Sequence, residues 1–127
     1  MTRIQADIIP AIKDWLSTEM GGFEVRLNVP EKWTTESSSL LVVADDGGPV
    51  QWPIKSQHTI RLTAYASGRS EARAITSYAA GILGNGRPPG VVNIDRDMGG
   101  ILDTRDPSTG AFLASVLLTA QARTIEV

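Results

Sequence analysis

The chain has 127 residues, 42% hydrophobic and 20% charged, with 12 basic and 14 acidic side chains giving a net charge of −2. That size and composition predict one globular domain with a buried core and exclude wholesale disorder, and the absence of cysteine excludes a disulfide framework and thiolate chemistry. The charges are interspersed rather than gathered into a basic stripe, no apolar run is long enough to span a membrane, and the start MTRIQADIIP has no signal-peptide character, so sequence-specific nucleic-acid binding, membrane insertion and secretion are all disfavoured.

In chain order, the first element is a helix over most of residues 4–19, with Ile4, Ile8, Ile12, Trp15 and Leu16 on one stripe. Asp7 as N-cap would place Pro10 in the first turn, where its missing donor costs little, and Gly21-Gly22 supplies the stop. Alternation at Phe23, Val25, Leu27 and Val29 predicts a strand ending at Pro30, followed by a polar loop over residues 31–39 that holds Trp33. Leu40–Ala44 is an apolar run of strand length, and the turn signal Asp45-Asp46-Gly47-Gly48-Pro49 follows it. Residues 50–55 lead, with Trp52 before Pro53, into the most informative stretch of the chain.

That stretch runs over residues 57–83. His58, Ile60, Leu62 and Ala64 alternate with Thr59, Arg61, Thr63 and Tyr65, the signature of a half-buried strand able to pair antiparallel with Leu40–Ala44. After Ser67-Gly68 the period changes, and Ala72, Ile75, Tyr78, Ala79 and Ile82 recur at helical spacing. Small residues at 72, 79 and 80 would let this helix lie close on a sheet. The cluster GNGRPPG ends it. A strand interrupted at Gly99-Gly100 is predicted over residues 91–102, then a turn at Asp106-Pro107-Ser108-Thr109-Gly110. Residues 111–125 fit either a strand or an Ala/Leu-rich helix, and their β-branched residues favour strand. Such a strand would extend roughly 45 Å, a length that hints at reach toward a neighbouring subunit.

Few residues offer chemistry. His58, the single histidine, has no nucleophile motif such as GxSxG beside it and reads as a partly buried structural histidine. Asp95, Asp97, Asp103 and Asp106 supply hard oxygen ligands but miss the spacing of a calcium loop. Gly81, Gly84, Gly86 and Gly90 resemble a phosphate loop in composition, yet they follow a helix, at the wrong end of its dipole. No catalytic residue, metal site or cofactor is expected. Exposure and length single out loop and hairpin positions as candidate contacts with an oligomer or partner: Trp33, Trp52, Arg96, Asp97 and Arg105. For the tryptophans the alternative is that each covers an edge of its own core.

Several phrases in this order resemble the tail-terminator (tail-completion) proteins of long-tailed bacteriophages. ADIIPAIKDWL is similar to that family's first helix and VRLNVP to its first strand. LLVVADDGG is similar to its apolar strand, and HTIRLTAYASGRSEARAITSYAAGIL to its strand–helix unit. The resemblance covers about the first two-thirds of the chain. It implies an α+β subunit, a mixed and mainly antiparallel sheet with two helices packed on it, which assembles into a homo-oligomeric ring, commonly a hexamer. The ring would sit in the virion at the head–tail junction, assembled in the host cytoplasm. Its partners would be the tail-tube protein and head-completion or connector proteins, with genome DNA passing through unread and no membrane involved. The alternatives are another head–tail connector, such as a head-closure or adaptor subunit, and a small α+β enzyme or ligand-binding domain using His58, Asp95 and Asp97.

Overall fold

A computed structural model describes residues 1–95 and 97–127. The elements in chain order are β1 (Arg3–Ile4), α1 (Ile9–Glu19), β2 (Val25–Arg26), β3 (Leu40–Asp45), β4 (Val50–Gln51), β5 (Lys55–Ala66), α2 (Arg69–Asn85), β6 (Asn93–Ile94), β7 (Leu102–Arg105), β8 (Phe112–Arg123) and β9 (Ile125–Glu126). The α+β class is as expected: two helices on a mixed, mainly antiparallel sheet.

The twelve-residue strands β5 and β8 form the centre and pair antiparallel along their whole length, from Lys55↔Arg123 to Ala66↔Phe112. On the other edge of β5 lie β3, in the register Leu40↔Tyr65 to Asp45↔Ile60, and then β4. Between these two, Asp46 N–H donates to Thr59 O and Thr59 N–H to Gly47 O, so β3 and β4 are successive pieces of one strand alongside β5, interrupted at the Gly47-Gly48 turn. Along the far edge of β8 the same design recurs, with β6 and β7 as successive pieces and the predicted interruption at Gly99-Gly100 between them. β2 closes the sheet, parallel to β3.

Residue alternation decides what each face does. Ile60, Leu62, Val116 and Leu118 point toward the helices and are buried with Leu41, Val43, Ile12, Leu16 and Leu83. α2 meets the sheet through Ala72, Thr76, Ala79, Ala80 and Leu83, and the Thr76 hydroxyl donates to Ala114 O at 2.7 Å. The small residues therefore do what their size suggested. Tyr78, expected on the apolar stripe, is exposed, because a helix held this close has no room for a ring beneath it. On the opposite face a second, smaller cluster forms at one end, where Trp33, Leu40 and Ala111 pack with Tyr65 and Leu113.

Other expectations needed correction. α1 begins at Ile9 with Ile8 as N-cap, although Asp7 Oδ1 still accepts the Ile9 N–H at 3.3 Å. A proline ring clashes with the carbonyl four residues before it, so Pro10 bars the helix from reaching Ile4, which pairs instead in the β1–β9 ribbon. Of the strand expected over residues 23–29 only Val25–Arg26 pairs, because the chain then turns away toward Trp33. The last segment is a strand, but β5 matches it residue for residue, so its length carries no reach beyond the subunit.

Candidate functional site

Three places on the molecule carry chemistry or exposed surface worth testing as a site. The first is inside. Ser56 and His58 lie two residues apart on β5 and so share a face, while the β3–β5 register brings Asp45 diagonally beside His58. His58 Nδ1 is 2.6 Å from Asp45 Oδ2, and Ser56 Oγ is 2.6 Å from His58 Nε2. An Asp45 carboxylate can only accept, so Nδ1 donates to it; in the neutral imidazole Nε2 then accepts the Ser56 hydroxyl, and in the imidazolium it donates to Ser56 Oγ. The order Asp–His–Ser is that of a hydrolase triad. Ser56 and His58, however, are 0% and 1% exposed, so no carbonyl can approach Oγ. The constellation crosslinks the end of β3 to β5, and Gly47 N–H donates to the second Asp45 oxygen.

The second place is the end of the sheet where β5 begins and β8 ends. The chain reverses through Trp52-Pro53-Ile54, with Ile54 N–H donating to Gln51 O at 2.7 Å. Buried Thr124 ties three segments together there. Its N–H donates to Ile54 O and its hydroxyl to Pro53 O, while Arg3 donates to its hydroxyl and its carbonyl at 2.8 and 2.6 Å. Beside this knot lies a cavity of about 580 Å³ walled by Pro53, Ile54, Val92 and Ala122 and rimmed by Arg3, Lys55 and Arg123, with no carboxylate in its lining. Most of the exposed large apolar side chains among the described residues gather at this end, including Ile4, Val50, Trp52, Ile54, Val92 and Ile125.

The third place is the outer sheet edge at β6 and β7. Leu102 and Leu117 are exposed there. Asp103 accepts from Arg69 and Arg73 of α2, which fastens the edge to the helix. The Arg105 guanidinium stacks 4.5 Å from the Phe112 ring centroid across the hairpin. Backbone and side-chain hydrogen bonds from Ser108, with a further bond from Thr109, hold the Asp106 carboxyl below the usual range. A shallow groove of about 830 Å³ also runs along the free edge of the segment containing β2, against Lys13, Asp14 and Ser17 of α1.

The candidate contact residues therefore separate. Trp52 is 58% exposed at the second place. Asp97 is exposed near the third, its N–H donating to Asp95 Oδ1, and Arg105 lies on β7. Trp33 is buried at 6% exposure, its indole N–H donating to Ser38 O and its ring edge-on to Tyr65, so it covers an edge of its own core. Arg96 lies outside the described residues. Ser56 and Asp45 as partners of His58 were missed. The signal for Ser56 was the i, i+2 spacing on one strand, whereas Asp45 needed the strand register. Among the described residues no cluster of three His, Asp or Glu side chains could hold a metal, and no helix is long and apolar enough to cross a membrane.

No family model matches the sequence, and no curated protein matches it. A solved structure does match in shape: a chain from the virion of a native gene transfer agent particle, at a TM-score of 0.66. The alignment covers 91% of this chain and 94% of that one at 11% identity, which shows a shared fold over nearly the whole of both.

Proposed function

We propose that the chain is a structural virion protein of a phage-like particle, a subunit that closes into a ring of six at the head–tail junction. The ring caps the tail tube, ends its polymerisation and presents the surface to which the filled head joins. Its partners are further copies of itself, the tail-tube protein and the head-completion proteins, and the genome passes through without sequence readout. The observation that carries this reading is the fold shared, end to end, with a chain of a gene transfer agent virion. The helix–strand phrases that resemble tail terminators support the narrower role. The inaccessible Ser56 agrees with a protein that works by assembly.

Electron microscopy of the purified protein mixed with tail tubes tests the proposal. Rings seated on one end of the tubes are expected. Rings that bind filled heads but not tubes would replace the terminator with an adaptor or head-closure subunit. A monomer that ignores tubes and heads but binds a small molecule would end both readings.

A further inference from the structure

We propose that the Trp52 end of one subunit docks on the β6–β7 edge of the next copy of this chain, so that the ring contact joins two different surfaces. The inference rests on the ring reading above and says where the contact lies. Trp52 and Ile54, 58% and 59% exposed, project from the reversal before β5, and exposed apolar side chains concentrated in one region mark interaction sites. A two-fold contact of this patch with itself would bring Arg3, Lys55 and Arg123 against their own copies. None of the three has an ion-pair partner among the described residues, and no carboxylate lines the cavity they rim. Glu126 lies across from Arg3 in the β1–β9 ribbon, but the three cations outnumber it, so a different partner surface, apolar and acidic, fits better than a second copy of the patch. A contact between unlike surfaces is the kind that generates rings.

The β6–β7 edge has that composition. Residues 95–106 contain four aspartates against two arginines; Asp103 is already held by Arg69 and Arg73, so the exposed Asp95 and Asp97 carry the acidic character of this edge. Leu102 is 64% exposed, Leu117 beside it is 45% exposed, and Asp97 is exposed on the loop that crosses Leu117. Among the described residues β7 pairs only with β8, so its outer main chain is also open to a contact. Apolar side chains then meet apolar side chains, and the cations meet carboxylates. Nucleic acid would satisfy Arg3, Lys55 and Arg123 but would leave Trp52, Ile54 and Leu102 without a role.

Sedimentation velocity on the whole chain tests this with Trp52→Glu, Leu102→Arg and their equimolar mixture. Each single variant should associate at least about tenfold more weakly than the wild type, as expected for a charge placed in a contact centre. The mixture should form dimers and stop there, because each partner keeps one working surface and the two are complementary. Arg123→Glu should weaken association less, and by a margin that shrinks at high salt. Unchanged melting curves would show that the exposed substitutions leave the fold intact. Variants that assemble like the wild type, or a mixture that stays monomeric, would overturn the proposal while leaving the ring reading standing. A wild type that is monomeric at every concentration, with tail tubes present as well as without them, would remove both. Duplex DNA binding that Arg123→Glu abolishes without touching assembly would assign the cations to nucleic acid and also overturn it.

Discussion

Ser56 and His58 supply a sharp test of whether the buried Asp45–His58–Ser56 chain is structural, because the two residues should be coupled with a change of sign. Ser56→Ala in the wild type removes the one hydrogen-bond partner of His58 Nε2 in a place water does not reach. An unpaired buried polar group costs about 1–3 kcal/mol, and the hole left by one oxygen is too small to admit a water. His58→Leu keeps apolar volume but orphans the Ser56 hydroxyl, which is 0% exposed, at a cost of the same size. Asp45 suffers less, since its side chain is 25% exposed and can be rehydrated. In the His58→Leu background, Ser56→Ala then removes an orphan instead of creating one. It should recover about 1 kcal/mol or more, where in the wild type it is destabilising. Urea denaturation of the four proteins, with unchanged slopes, reads this directly. Equal effects of Ser56→Ala in both backgrounds would refute the coupling. A fluorophosphonate that labels Ser56 would refute the burial on which the non-catalytic reading depends.

Two glycines should respond to alanine with opposite signs. A Cβ on Gly48 would overlap the Gln57 carbonyl oxygen of β5, so Gly48→Ala should cost about 1–3 kcal/mol by forcing the β3–β4 turn outward. Gly81 is exposed in the interior of α2 with nothing within 4 Å, and Gly81→Ala should stabilise by about 0.5–1 kcal/mol. Both are read as midpoint shifts in denaturant. The tryptophans should likewise separate. Trp33→Ala should cost about 3–5 kcal/mol, and Trp52→Ala should stay within about 0.5 kcal/mol; equal losses would contradict their placement. For pH, the folded pKa of Asp106 lies below the ordinary 3.8, because hydrogen bonds from Ser108 and Thr109 favour the carboxylate. Its contribution to stability is therefore present above that value and lost as pH falls through the lower, folded one. Tyr65 goes the other way. Burial, then the Asp106 charge, raise its pKa above 10.0, so the folded state holds the proton longer and stability should fall as the solution rises through that region. An NMR titration of both groups checks the two directions.

Local pattern carried most of the fold. Period-2 alternation over residues 58–66 became β5, and its pairing with β3 was visible because both runs are apolar and the turn between them is dense in glycine. The helix–sheet contact was legible from Ala72, Ala79 and Ala80 because residue size alone limits how close a helix can lie. What failed depended on partners distant in sequence. Ile4 has the right spacing for α1, but Pro10 and the waiting β9 edge decide where it goes. Phe23–Val29 alternates along its whole length, yet a strand exists only where a neighbour pairs with it. Tyr78 satisfies the helical period and misses the core because the stripe at the contact is narrower than the apolar residues in the sequence suggest.

The site shows the same division more severely. On its own strand, beside Ile60 and Leu62, His58 reads as partly buried and structural, and the structure buries it fully. Its two partners nonetheless make the geometry of a hydrolase, and only the lack of access to Ser56 separates the two readings. Hydrogen-bond distances alone would assign the wrong role. Accessibility settles it because acyl transfer needs a substrate carbonyl at the nucleophile and oxyanion donors around it, and neither fits where the residue exposes no surface. The same criterion works in reverse at the Trp52 end. Nothing in the spacing of Trp52, Ile54, Arg3 and Arg123 links them, since they are brought together by Thr124 and the β1–β9 ribbon. Trp33 and Trp52 look alike as loop tryptophans in the sequence. The pairing of Tyr65 with Leu40 gives Trp33 a ring to pack against, and Trp52, at the far end of β5, has none among the described residues. A large ring left without a place in its own core, at the same end as three cations that have no ion-pair partner among the described residues, is therefore the strongest reason to look for assembly there first.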